Sequence, residues 1–278
     1  HMEEHNLWQF IRKNNKSLFV KTFFFLLTFA TMTAAGAFLK QQYFWHSLDA
    51  FLTGLPYAYA LMSILTFHEM GHYIAAYRYR IRATLPYYVP IWLPWFNLGT
   101  MGAFIKLKSP MPHKKALLDV GIAGPISGFI VTLIFLLLGF SQLPDTEGIN
   151  EYIRAIHPYP MPDGEGIDLV LGKSLLFYIF NDLWAGGRLP MNELYHFPFI
   201  FAGWVGLLVT AINLMPIGQL DGGHISYALF GGKARIISGG TFALLMFLNV
   251  FSLNYLVWGI LIFFIVRFKH PPTLNDRY

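Results

Sequence analysis

AFLTGLPYAYALMSILTFHEMGH, residues 50–72, decides how this 278-residue chain is read. Ala50–Phe67 gives 18 consecutive uncharged residues, within the range that crosses a hydrocarbon core of about 30 Å as a helix. Directly after it stand His68, Glu69 and His72. Three further stretches are uncharged or nearly so over a spanning length: Phe23–Leu39, Val120–Phe140 and Phe197–Leu220. Ile236–Val266 carries no charge over 31 residues, and its polar break at Asn249–Asn254 divides it into two short helices in a hairpin. The expected architecture is an all-α polytopic membrane protein of about six transmembrane helices.

Composition agrees. Hydrophobic residues make up 55% of the chain, aromatic residues 18% and charged residues only 13%, against about 25% charged in a soluble domain. The mean hydropathy is +0.47. These values exclude a soluble enzyme, a nucleic-acid-binding protein and a disordered chain. The net charge of +5 reads as basic cytoplasmic loops, not as a nucleic-acid footprint. Cysteine is absent, so disulfides, thiolate–zinc sites and thiol catalysis are excluded and any metal must use His, Asp or Glu.

Loop charge sets an orientation. Residues 78–118 hold Arg78, Arg80, Arg82, Lys106, Lys108, Lys114 and Lys115 and no acid, whereas residues 141–195 hold eight acids against Arg154, Lys173 and Arg188. The first segment is expected to be cytoplasmic and the second external. Both termini, with Arg12, Lys13, Lys16 and Lys21 at one and Arg267, Lys269 and Arg277 at the other, then fall inside. His1-Met2 reads as a cloning scar before a start methionine, and charged residues 3–17 as a cytoplasmic tail without a signal or transit sequence. This points to the cell membrane of a bacterium. Residues 84–107 are apolar but carry Pro86, Pro90 and Pro94, too many for a helix. A membrane-associated β-hairpin around Asn97-Leu98-Gly99 is expected instead, lining protein or a wet cavity. Asp168–Trp184 reads as an interfacial amphipathic helix in the external loop. With no internal repeat, residues 1–278 are expected to form a single membrane-embedded domain.

On a helix, residues four apart share one face, so His68 and His72 can bind one ion. Glu69 lies beside the first ligand, where it can activate water without being a ligand itself. Composition alone would generate about 0.01 such motifs in a chain of this make-up. Two ordinary helix histidines are the bland alternative, but ionisable groups inside a membrane are costly and mark function. Zinc needs a third protein ligand. Asp119 lies beside Lys114 and Lys115 and reads as a solvated helix end. Asp221 sits in NLMPIGQLDGGH, residues 213–224, where a proline and glycines break an apolar stretch and let a side chain turn inward. Asp221 is therefore the better ligand, and His224 a supporting or structural neighbour.

An HExxH helix followed by NxxPxxxLDG about 150 residues later resembles the site-2 protease family of intramembrane zinc metalloproteases. The fixed positions present are His68, Glu69 and His72, then Asn213, Pro216, Leu220, Asp221 and Gly222. The likeness covers about residues 50–270. Gly99–Ser109, Ala123-Gly124-Pro125 and Ala202-Gly203-Trp204 are similar to the plant and cyanobacterial branch that lacks a PDZ domain, and no stretch here is long enough for one. Gly128 departs from the pattern, since many members carry Asn there. The resemblance implies one Zn²⁺ per chain on His68, His72 and Asp221. It implies Glu69 as the base that activates water and passes its proton to the leaving amine, and Asn213 as a substrate-backbone or oxyanion contact. It further implies transmembrane protein substrates cut near the cytoplasmic side of the bilayer, with the hairpin able to take an unwound substrate as an added strand.

Other features are plainer. Trp45, Trp92, Trp95 and Trp184 read as aromatic-belt anchors. Gly231-Gly232 and Gly239-Gly240 are too short for phosphate loops, and His5, His46, His113, His157, His196 and His270 receive no role. Two other function classes fit parts of the pattern: a metal transporter or channel, and an inactive relative acting as a membrane chaperone or scaffold. A transporter has no hydrolytic need for Glu69 and tends to carry inverted repeats; a scaffold would be marked by a lost ligand or base, and none is lost. The sequence leaves the oligomeric state open.

Overall fold

The computed structural model describes residues 2–92, 97–157 and 171–248. Its long helices are α1 (Met2–Leu39), α3 (Leu55–Arg78) and α4 (Lys114–Ser141), with a short α2 (Leu48–Leu52) before α3. Strands β1 (Tyr87–Pro90) and β2 (Thr100–Phe104) pair between α3 and α4. There follow α5 (Thr146–Ile156), α6 (Leu175–Tyr178), α7 (Pro198–Asn213), α8 (Asp221–Phe230) and α9 (Ala234–Leu248). Among the described residues, three segments are long and apolar enough to cross a membrane: Ser17–Leu39, Leu48–Arg78 and Lys114–Ser141.

The fourth expected span takes a shorter form than its apolar run. Phe197–Leu220 is helical only over the 16 residues of α7, about 24 Å of helix against a core of about 30 Å. Pro216 brings no N–H and disfavours helical backbone at Met215, and Gly218 takes φ +53°. The chain therefore leaves the helix at Asn213 and re-enters one only at Asp221. Of the paired helices expected over Ile236–Val266, α9 covers the first part; the remainder lies outside the described residues, as do Trp95, His270 and the basic C-terminus.

The chain divides into two compact units. In the first (residues 1–65, 87–104 and 131–205), α1 lies against the hairpin. The strands pair antiparallel from Tyr87↔Phe104 to Val89↔Gly102, with an irregularity between Val89 and Pro90. They are shorter than the expected 84–107. Near the turn, Gly99 stands at φ +76°, and a Cβ there would lie 2.4 Å from Met32 Cα. Thr31 Oγ1 donates to Gly99 O at 2.6 Å and Tyr57 Oη donates to Leu98 O at 3.1 Å. Protein groups thus satisfy this non-helical backbone, which lipid would leave unpaired. A Cβ on Gly54 would stand 1.8 Å from Thr33 O, so α1 and the start of α3 approach at a distance only glycine allows.

The loop after α4 holds more helix than the sequence indicated. Asp145 caps α5, accepting from the Gly148 N–H at 2.9 Å. The helix expected over Asp168–Trp184 begins only at Leu175, capped by Ser174, and continues as a π-helical segment over Ile179–Trp184; residues 168–170 lie outside the described residues. It is apolar on both sides: Phe177 and Phe180 are buried near Phe140, while Leu175, Ile179 and Leu183 are exposed. Trp45, Trp92 and Trp184 are also exposed, as belt residues are.

In the second unit (residues 66–86, 105–130 and 206–278), the C-terminal part of α3 packs on the N-terminal part of α4 through Ala75, Ala76, Ala116 and Val120. A Cβ at Gly71 would meet Ser127 Oγ at 2.0 Å and Ala123 O at 2.3 Å. Thr84 N–H donates to Lys106 O at 3.0 Å and Ala83 bridges Leu107. The break before α8 folds back on that helix: Cβ atoms at Gly222 and Gly223 would lie 2.1 Å from Leu214 O and 2.3 Å from Gly218 O. The two glycines after Asp221 are what let this turn close.

Candidate metal centre

All five residues singled out by the sequence lie in the second unit. His68, Glu69 and His72 are buried on α3, one helical turn bringing the two imidazoles together. Asp221 is the first residue of α8, so the helix break that shortens α7 is what delivers it. His68 Nε2 lies 3.3 Å from Asp221 Oδ2, His72 Nε2 lies 3.3 Å from Asp221 Oδ1, and the two Nε2 atoms are 3.2 Å apart. Tetrahedral zinc with bonds of 2.0–2.1 Å needs ligand atoms about 3.3–3.4 Å apart. The three side chains therefore have the spacing to hold one zinc ion.

The surroundings hold the ligands in that state. His72 Nδ1 lies 2.7 Å from Val120 O. Donation there fixes the proton on Nδ1 and leaves the Nε2 lone pair for an ion. A Cβ at Gly124 would lie 2.0 Å from His72 Nε2, and one at Gly128 would lie 3.0 Å from His68 Cβ. Gly128, where the chain departs from the family pattern, thus faces His68 with little room for a side chain. The Glu69 carboxylate accepts a hydrogen bond from the backbone of Ile105, just past β2. Asn213 ends α7 with Nδ2 3.4 Å from His68 Nε2, which brings its amide to the edge of the group.

Asp119 does not join this cluster. Its carboxylate accepts from the Tyr79 hydroxyl, and that bond raises the Tyr79 pKa, in keeping with the helix-end role read for Asp119. His224 is likewise outside the group of ligand atoms and packs near Gly121. The Val120 carbonyl and Gly124 were not singled out by sequence reasoning; the AGP run at 123–125 was their only signal. His157 and His196, given no role from the sequence, converge with Glu193 in the first unit.

Fold and site together define a class: a protein with membrane-length helices and a His₂Asp group able to hold a metal, its two histidines on an HExxH helix and its carboxylate on α8. Residues 56–256 match peptidase family M50, the site-2 protease family, and the chain belongs to it. It is 33% identical over 233 residues to the probable zinc metalloprotease EGY2, chloroplastic, of Arabidopsis thaliana, covering 83% of this chain and 38% of that protein. It is 31% identical over 226 residues to the probable zinc metalloprotease EGY1, chloroplastic, of Oryza sativa subsp. japonica, covering 81% and 36%. The probable zinc metallopeptidase EGY3, chloroplastic, of Arabidopsis thaliana is 28% identical over 257 residues, covering 90% and 43%. The chain spans about two fifths of the length of these relatives. No solved structure gives a significant match. Zinc is the metal the family implies, and two imidazoles with one carboxylate suit it.

Proposed function

We propose that the protein is an intramembrane zinc metalloendopeptidase that cuts transmembrane segments of membrane protein substrates. The observation that carries this is the convergence of His68, His72 and Asp221, at 3.2–3.3 Å, beside a buried Glu69. Zinc held by these ligands supplies Lewis acidity, which makes water nucleophilic near neutral pH and polarises a scissile carbonyl. Glu69 takes the proton of the attacking water and returns it to the leaving amine. Its burial beside the ligands keeps bulk water from competing for that proton. Asn213 donates its amide to the substrate backbone or to the oxyanion as it forms. Val120 O and Gly124 orient His72, one by a hydrogen bond and the other by leaving room for the ring.

In this proposal the chain crosses a cell membrane about six times with both termini on the cytoplasmic side. That orientation rests on the seven cations of residues 78–118 against the eight acids of residues 141–195. The relatives are chloroplastic by name; a bacterial cell membrane goes beyond them and is part of the proposal. A substrate helix hides its amides in its own hydrogen bonds and must be unwound before cleavage. The β1–β2 ribbon offers an edge on which the unwound segment can be held.

The test is cleavage of single-span substrates in detergent by wild type and Glu69→Gln, with the zinc of both measured. We expect cleavage by wild type alone, a loss of at least about 10²-fold for a removed general base, and unchanged zinc. Cleavage by Glu69→Gln at the wild-type rate would overturn the assignment. So would a zinc content that His68→Ala/His72→Ala leaves unaltered.

A further inference from the structure

A second group of metal-binding side chains is built in the first unit. His157 caps the C-terminal end of α5, and Glu193 and His196 flank the short turn before α7. His157 Nε2 lies 2.9 Å from His196 Nε2, His196 Nε2 lies 3.2 Å from Glu193 Oε2, and His157 Nε2 lies 3.6 Å from the same oxygen. These separations bracket the roughly 3.3–3.4 Å expected between ligands of one tetrahedral zinc. They are close to the 3.2–3.3 Å of the HExxH group.

Two features distinguish this arrangement from a hydrogen-bonded surface cluster. The first is the proton inventory. His196 Nδ1 lies 2.6 Å from Leu39 O; donation there leaves Nε2 as a bare lone pair aimed at its neighbours. One proton shared between the two imidazoles then satisfies both rings but leaves Glu193 Oε2 with nothing to accept. That oxygen is buried and has no hydrogen-bond partner among the described residues. A cation at the centre satisfies all three lone pairs at once. The second feature is the support behind the ligands. His196 is fully buried, and Tyr152 Oη donates to its carbonyl at 3.2 Å. Gln41 closes the end of α1 at φ +55°, where glycine or asparagine is usual, and its amide lies 3.1 Å from His157 Nδ1. An amide flip lets Gln41 serve either His157 tautomer. The His157 and Glu193 side chains keep 22% and 17% of their surface exposed, which gives an ion a way in.

The geometry points to a second divalent transition-metal site, suited to zinc, on His157, Glu193 and His196. Two imidazoles and a carboxylate select zinc-like ions over calcium or magnesium. The ion would tie together the ends of α1 and α5 and the turn before α7, three elements brought from distant parts of the sequence.

The site is tested on the full chain in detergent, stripped with a chelator and titrated with Zn²⁺ alone, by counting bound zinc after gel filtration. Wild type is expected to bind two zinc ions per chain. His157→Ala and Glu193→Gln, which keep the His196 bond to Leu39, are each expected to bind one at the zinc concentration that saturates wild type. His68→Ala/His72→Ala is also expected to bind one. A zinc-dependent rise in melting temperature should persist in His68→Ala/His72→Ala, be smaller than wild type in His157→Ala, and vanish only when His157→Ala is added to His68→Ala/His72→Ala. If His157→Ala lowers the metal-free melting temperature, the isosteric Glu193→Gln carries the comparison. A single zinc in wild type that His68→Ala/His72→Ala removes would overturn this site and leave the protease reading standing. A single zinc that only His157→Ala or Glu193→Gln removes would support this site and overturn the other. Two zinc ions in both first-unit variants would also overturn it.

Discussion

At the scale of single residues, the metal group depends as much on absent atoms as on present ones. Gly124 lies so close to His72 that a methyl group would overlap the imidazole, at 2.0 Å from Nε2. The ring would have to swing away from both Asp221 and the Val120 carbonyl. Gly124→Ala is therefore expected to weaken zinc binding at this group at least about tenfold, in line with losses seen when ligand-orienting contacts are removed, and to abolish cleavage. Gly239, in α9, has nothing within 4 Å of its would-be Cβ, so Gly239→Ala should keep wild-type zinc and activity. Equal behaviour of the two variants in zinc titration would remove the steric argument. The pairing of His68 with His72 was legible from sequence because helical spacing fixes where they point. Asp221 was legible because a carboxylate inside an apolar, Pro/Gly-broken stretch has few other uses. Gly124 was not legible as a ligand support, since its value lies in which ring packs on it. The His157–Glu193–His196 group was hidden for a similar reason: its ligands are 36 and 3 residues apart in sequence, and folding alone joins them.

At the scale of elements, apolar runs identify the helices, and backbone chemistry shortens one of them. Three expected spans stand as long apolar helices. The fourth is interrupted by Pro216 and Gly218, the same residues that turn Asp221 inward. The hairpin was legible from its prolines and from Asn97-Leu98-Gly99, but its strands are confined to Tyr87–Pro90 and Thr100–Phe104. Helix α5 lies inside an acidic loop, where Asp145 supplies its cap and Ile149, Ile153 and Ile156 its helical repeat. The hairpin also carries a prediction. Adjacent residues on a strand point their N–H groups to opposite edges, so of Ala103→Pro and Phe104→Pro one removes a bond to β1 and the other an outward donor. If substrate is held on the ribbon by strand addition, both variants should cut more slowly, the outward one at unchanged melting temperature. Wild-type cleavage rates in both would sink strand addition on β2.

At the scale of the whole molecule, the unequal loop charges make a claim about how the chain crosses its membrane. Cations cost more to move across a bilayer during insertion than acids do, so short basic loops stay on the cytoplasmic side. Residues 78–118, with seven cations and no acid, should therefore remain inside, and residues 141–195, with eight acids, should be exported. The absence of cysteine makes the claim directly measurable. Ser109→Cys and Thr146→Cys each create a unique thiol at a position outside the long apolar runs. In intact cells expressing the full chain, a membrane-impermeant maleimide should label Thr146→Cys and spare Ser109→Cys, and both should react once the membrane is permeabilised. Glu69→Gln added to each chain should leave the pattern unchanged, because the charge asymmetry lies in the loops and not at the metal group. The reverse pattern would put the acidic loop inside and turn the chain over. Labelling of both thiols in intact cells would mean that the two loops share a side, which an odd number of crossings between them cannot produce. One crossing, α4, links the two loops, so the outcome also tests whether that 28-residue helix spans the bilayer.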